Sequence, residues 1–265
     1  ALEGRCTVSE AWLRELANPH AARATFVSAD ERHNRIFEAG RQTFRQNAVD
    51  FYSDCPGRER AGWLCDSFFT GQAEPVLCGG STVERNFLEN FALPEKFEHL
   101  PEGMLPMCYP AEHPNHVHIP QWALWLILQL EDYQERTGDT GMAEALRGKV
   151  FALLAYLQKF ENTDGLLEKL PGWNFVEWSM ANKSMNDVNY PTNMLYAGAL
   201  EAAARLYGKA RWAAQAKALK DTIRAQALPG LFFADNAIRD EQGTLRLSGE
   251  CTEVCQYYAF FFDVA

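Results

Sequence analysis

The sequence predicts an all-α domain built as an α/α toroid. Strand signals are sparse, while apolar residues recur at helical spacing along most of the chain. A unit also repeats: a helix apolar on nearly all sides, a short turn, a one-sided helix, then a glycine turn. The hydrophobic share of 47%, with 12% aromatic residues, supplies material for a large core. Alternating buried and half-buried helices imply two concentric layers of hairpins. In a straight solenoid each helix usually keeps a wet edge, so the toroid fits better, although the period by itself leaves both open.

Residues 1–24 read as a leading segment from a preceding domain, and the single toroid domain is expected to run on to residue 265. Residues 30–51 form the first clear helix. Ser28 and Glu31 make a capping-box pair at its start, and Phe37, Phe44, Ala48 and Phe51 follow at helical spacing. A loop rich in Gly, Pro and charge comes next, then short helical segments near 67–76 and 82–91. Six prolines between 94 and 120 mark a long irregular connection, the kind that tends to carry function.

From there the pattern is periodic. Residues 121–136 begin apolar on nearly all sides, as a buried helix does. Gly138 suits the left-handed position at its C-terminal end. Residues 142–160 carry one stripe, Leu146, Val150, Leu153 and Leu157, and Gly165 closes the unit. The order then returns: 193–207 is apolar on most faces, Gly208 ends it, 211–227 carries Trp212, Ala216, Leu219 and Ile223, and Gly230 closes. Residues 252–265 look like another buried helix. The chain starts without Met and stops inside an apolar run, so the expectation is a piece of a longer protein with an apolar face left exposed where further hairpins would pack.

A net charge of −10 repels phosphate backbones and anionic bilayers, which sets nucleic acid and membrane aside as main partners. No apolar run reaches the length of a spanning helix. Neutral ligands, sugars among them, fit this surface. Seven cysteines, odd in number and irregular in spacing, form no disulfide framework and no CxxC zinc motif; they read as buried or inert thiols and lean toward a reducing compartment. The chain shows no signal peptide. With no phosphate loop and no Ser/His/Asp signature, no cofactor is expected.

The chemistry concentrates in Asp54, Arg58, Glu59, Arg60, Trp63 and Asp66. Carboxylates are strong acceptors for sugar hydroxyls. A carboxyl crowded by others has its pKa raised and can stay protonated, as a general acid must. A loop stitched by surface ion pairs is the other reading of the same residues.

The run SDCPGRERAGWLCDS resembles the motif of the α-L-rhamnosidases, family 78 of the glycoside hydrolases. It keeps Asp54, Cys55, Pro56, Arg58, Glu59, Arg60, Gly62, Trp63 and Asp66. It lacks one acidic residue beside Glu59 and has Cys65 where Gly is common. The segments DERHNRIFEAGRQTFRQNAVDFY, IPQWALWLILQLEDYQERTGD and PGWNFVEWS also look like family segments, so the resemblance covers about residues 25–260. It implies an (α/α)6 barrel and inverting hydrolysis of terminal α-L-rhamnosides. By motif match Glu59 is the general acid. Asp54 and Asp66 grip the sugar and hold up the pKa of Glu59, while Arg58 and Trp63 line the pocket. Trp122 and Trp173 are the further candidates for stacking on the sugar's apolar edge.

The family's general base is a late Glu in a Trp-Glu context, which the last part of this chain lacks. Glu250 and Glu253 are nearest in order, but Glu253 reads as a helix-start charge. Six hairpins of this period exceed 265 residues, so the base is expected beyond Ala265. Other readings stay open: another sugar on the same fold, an epimerase or lyase, or a non-catalytic carbohydrate-binding module. The group His113, His116 and His118 suits substrate contact or a solvated loop better than a metal, which is not expected here. Trp125, one turn from Trp122, reads as core, and Glu177 and Trp178 are undecided between cavity and hairpin packing.

Overall fold

A computed structural model of the chain describes residues 7–111 and 116–265. The described residues form eight α-helices: α1 (Glu31–Asn47), α2 (Asp66–Cys78), α3 (Thr82–Ala92), α4 (Pro120–Thr137), α5 (Thr140–Gln158), α6 (Tyr190–Tyr207), α7 (Ala210–Ala227) and α8 (Glu253–Phe261). Burial sorts the long ones into two layers. Thirteen of the 18 residues of α4 and 15 of the 18 of α6 are buried, against eight of 19 in α5 and six of 18 in α7. The first pair therefore lies inside and the second outside, each outer helix burying only the stripe its sequence carries. All eight stripe residues of α5 and α7 named above are buried.

The inner helices α2, α4, α6 and α8 pack one against the next in chain order, with α3, α5 and α7 outside them. The turns follow the sequence logic. Gly138 and Gly208 both adopt left-handed φ (73° and 63°), and their N–H groups return to the carbonyls of Gln134 and Ala204. In α8, Thr252 caps the first turn through its side chain and Glu253 supplies the favourable charge, so Glu253 does serve the helix start.

Four expectations need correction. The stretch 252–265 is not a buried helix: of the nine residues of α8 only Cys255 and Ala259 are buried, because its other face has no described neighbour. The capping box at α1 does not form: Asp30 is the cap and accepts from Arg32 N, while Ser28 Oγ accepts from Asp30 N. The helix also ends at Asn47, so Ala48 and Phe51 lie beyond it. And the chain is not purely helical. A small antiparallel sheet of β1 (Val188–Asn189), β2 (Asn236–Arg239) and β3 (Leu245–Leu247) sits between the α6 N-terminus and the α7–α8 connection, with Val188 opposite Ala237. Strands of two to four residues are too short to show an alternation in sequence.

The first turns of α2 and α4 and the length of α8 open onto one cavity. Residues 54–65 and the 171–178 segment meet them there.

Candidate active site

Residues 54–66 are held as a rigid hook. Asp54 and Ala61 close a loop through Asp54 N to Ala61 O (3.0 Å) and Ala61 N to Asp54 Oδ1 (3.0 Å). The following residues pair with 107–110: Gly62 N to Pro110 O (3.1 Å), Tyr109 N to Gly62 O (2.9 Å) and Leu64 N to Met107 O (3.0 Å). Gly62 is required by contact, because a Cβ there would stand 2.3 Å from the Tyr109 carbonyl oxygen. Arg60 and Cys65, at φ 49° and 72°, bend the hook at both ends. Those bends turn Glu59 and Asp66 toward a common space.

That space is a cavity of about 890 Å³. Asp54, Arg58, Glu59, Trp63, Asp66, Trp122 and Trp173, singled out in the sequence, line it, whereas Arg60 does not. Trp122 comes from the first turn of α4 and packs edge-on against Phe175 at 5.1 Å. Trp173 follows Gly172, and its N–H is held by the His118 carbonyl at 2.9 Å. Gly172 (φ 91°) lies so close to His118 that a Cβ would stand 2.7 Å from both the ring and the carbonyl.

The electrostatics differ from the sequence expectation. Asp54 and Asp66 do not hold the Glu59 pKa up. The Arg58 guanidinium, 2.6 Å from a Glu59 oxygen, holds that carboxyl down at about 2, with the hydrogen bond to Asp54 acting the same way. The raised carboxyl is Asp66, pushed up to about 6 by desolvation and then by the charges of Asp54, Glu177 and Glu59. Asp66 opens into the cavity, but aromatic walls displace much of the water that would screen it.

Asp54, Cys55 and Glu59 carry possible metal ligands within 4.8 Å of one another. A cation there would compete with Arg58 for Glu59. The histidine group does not assemble among the described residues. His116 turns to His99, its Nδ1 donating to that carbonyl over 2.9 Å with the rings 5.0 Å apart. His118 is buried behind Gly172, and His113 lies outside the described residues. Glu250 pairs with Lys183 at 2.9 Å, and neither it nor Glu253 lines the cavity.

Sequence reasoning read Trp125 as core and left Glu177 and Trp178 undecided. Trp125 is core and cavity wall at once, 3% exposed yet lining the space. Glu177 and Trp178 line it too, beside Phe175, Tyr257 and Tyr258. The signal was the density of aromatic rings in residues 173–178, which hairpin packing alone does not need.

Among solved structures the chain is similar to a family 78 rhamnosidase of Bacillus sp. GL1, with TM-score 0.80 and 23% identity over 93% of this chain and 26% of that one. A rhamnosidase from Klebsiella oxytoca, solved with rhamnose bound, matches at TM-score 0.73 and 16% identity over 94% and 46% of the two chains. An α-L-rhamnosidase from Dictyoglomus thermophilum matches at TM-score 0.65 and 16% identity over 94% and 27%. This chain thus spans between about a quarter and a half of those proteins. No curated protein matches it. The model of the bacterial α-L-rhamnosidase six-hairpin glycosidase domain matches residues 21–244. With that match over most of the chain, and the helical layers and cavity described above, the chain belongs to the bacterial α-L-rhamnosidase six-hairpin glycosidase family.

Proposed function

We propose that this chain supplies the acid side of an inverting glycosidase site acting on terminal α-L-rhamnosides. One observation carries the reading: Glu59, Asp54 and Asp66 share a single cavity with Trp63, Trp122 and Trp173. The carboxylates accept sugar hydroxyls, and the rings suit the apolar edge of a 6-deoxy sugar. The rhamnose bound to the Klebsiella relative points to the same class of ligand.

Glu59 protonates the leaving oxygen. It is ion-paired with Arg58, so the substrate must first separate the two. The Arg58 side chain is 86% exposed and can swing away at little cost, whereas Glu59 is fixed in the hook. Loss of that pair, in a site dried by the sugar, returns the Glu59 pKa upward and lets it carry a proton. Asp54 and Asp66 hold the sugar. A second carboxylate, about 6.5–9.5 Å away across the ring in an inverting enzyme, activates water. We place that base on helices outside residues 1–265.

The raised pKa of Asp66 favours a second reading, in which Asp66 is the acid. The test is hydrolysis by the full polypeptide that contains this chain. With Glu59 as acid, Glu59→Gln lowers the rate on a poor leaving group by about 10²–10⁴-fold but much less on an activated aryl α-L-rhamnoside. That leaving-group signature in Asp66→Asn instead would reverse the assignment. A folded wild type inert toward every rhamnoside would leave a carbohydrate-binding role.

A further inference from the structure

The reading above gives no task to Glu177, although it lines the same cavity. Its segment is braced from two sides. Gln121 Oε1 accepts from Phe175 N at 3.2 Å while its Nε2 donates to Asn174 Oδ1 at 3.1 Å. Beyond them Val176 N donates to Asn182 Oδ1 at 2.9 Å, and Ser179 N donates to Glu177 O at 2.8 Å. Trp173, Phe175 and Trp178 pack ring to ring at 4.8–6.1 Å around it. The Glu177 side chain is exposed, but the backbone that carries it is fixed at the cavity wall.

Its own bonding is incomplete. Glu177 Oε1 accepts from Trp178 N at 2.5 Å, and Oε2 has no hydrogen-bond partner among the described residues. The charge is felt across the cavity by Asp66 and Tyr258. Arg58 is the basic side chain in the lining, and it is engaged by Glu59 at 2.6 Å. The other donors of the lining are neutral, indole N–H groups and the Tyr257 and Tyr258 hydroxyls, so four carboxylates face one cation. A neutral polyhydroxyl ring adds hydroxyl donors without adding charge. A sugar acid brings a further negative charge, which four carboxylates in one space repel.

We propose that Glu177 is a substrate-binding residue that takes a hydroxyl of a neutral glycone from the wall formed by residues 171–178 and, with Asp66, sets the cavity against uronates. The inference rests on the glycosidase reading of the cavity.

The test compares the full polypeptide as wild type, Glu177→Gln and Glu59→Gln. Rhamnose binding is followed by quenching of the cavity tryptophans, and turnover by release from an α-L-rhamnoside with a poor leaving group. Glu177→Gln keeps an acceptor for Trp178 N, so the fold is expected to survive, and Glu177→Asp provides a second variant with the charge drawn back. Loss of a hydrogen bond to a charged acceptor raises Kd and KM about tenfold to a hundredfold in Glu177→Gln while kcat changes by less than about threefold. Glu59→Gln should lower kcat and leave Kd near wild type. Of the rhamnosides lacking the 2-, 3- or 4-hydroxyl, one should bind wild type and Glu177→Gln equally. Unchanged Kd in both Glu177 variants, with Glu59→Gln behaving as stated, overturns the role of Glu177 and leaves the glycosidase reading intact. Free glucuronate quenching the wild type as strongly as rhamnose overturns the exclusion of acids. A wild type that neither binds nor hydrolyses rhamnosides overturns both readings together.

Discussion

Asp66 is where local structure sets the chemistry most plainly. Its carboxyl sits at about 6 instead of the ordinary 3.8, because the aromatic cavity desolvates it and three other carboxylates face the same space. The folded chain therefore binds this proton more tightly than the unfolded chain does. Stability from the group is complete below about pH 3.8 and is lost as pH rises through about 6. Asp66→Asn, neutral throughout, escapes that loss. Its urea midpoint should gain on wild type as pH goes from 4 to 7, by a modest amount because the group opens to solvent through the cavity. A wild-type-to-mutant difference that stays flat over this range would show that burial does not govern Asp66. Glu59 teaches the opposite lesson. The crowding of carboxylates in residues 54–66 was legible because the residues are consecutive. That Arg58 folds back onto Glu59, and not outward, depends on the bends at Arg60 and Cys65, which no local pattern announces.

Between elements, the joint of α2 with α3 shows how an inner helix is fixed under the site. Ser81 precedes α3 but makes no side-chain cap. Glu74 of α2 does that work from the neighbouring helix: Oε1 accepts from Val83 N at 2.8 Å and Oε2 from Glu84 N at 2.9 Å. Tyr52 OH also donates to Glu74, which is 1% exposed. The negative charge sits where the α3 dipole favours it. Glu74→Ala strands two buried N–H groups and a phenol, so it should cost about 3 kcal/mol or more in denaturant unfolding. A loss under about 1 kcal/mol would mean that water replaces the carboxylate without difficulty. Nothing in the sequence betrays this cap, because donor and acceptor are nine residues apart in different helices. The helices themselves were legible for the converse reason. Their stripes, Leu146 to Leu157 and Trp212 to Ile223, are local, and their turns end on glycines whose left-handed φ no other residue adopts as cheaply. Glu177 stayed undecided in sequence for a related reason: its meaning comes from Asp66, more than a hundred residues earlier.

Across the whole molecule, the inner row is the feature with the largest consequence. It runs α2, α4, α6, α8, and the end of α8 reaches back to α4 and α2 through Trp125–Phe261 (5.9 Å) and Phe68–Phe261 (6.2 Å) ring contacts. Helices α2 and α8 both expose large apolar side chains: Phe69 and Val76 on α2, Tyr257, Phe260 and Phe261 on α8. Phe260 is 74% exposed, which a helix of a closed inner layer does not permit. The helices α2–α3, α4–α5 and α6–α7 make three inner–outer hairpins and α8 opens a fourth, whereas the family domain has six. We propose that an outer partner for α8 and two further hairpins of the full polypeptide cover these faces and bring the water-activating carboxylate opposite Glu59. The area at stake is large: each fully buried Phe contributes about 1.5–3 kcal/mol. In the full polypeptide, amide exchange across α8 should therefore be slower by about a hundredfold or more than in residues 1–265 by themselves, since local opening would have to break those new contacts. Exchange in α8 that is the same in both would mean that nothing docks on this face, and the base would then have to be sought among the carboxylates already in the cavity, Glu177 first.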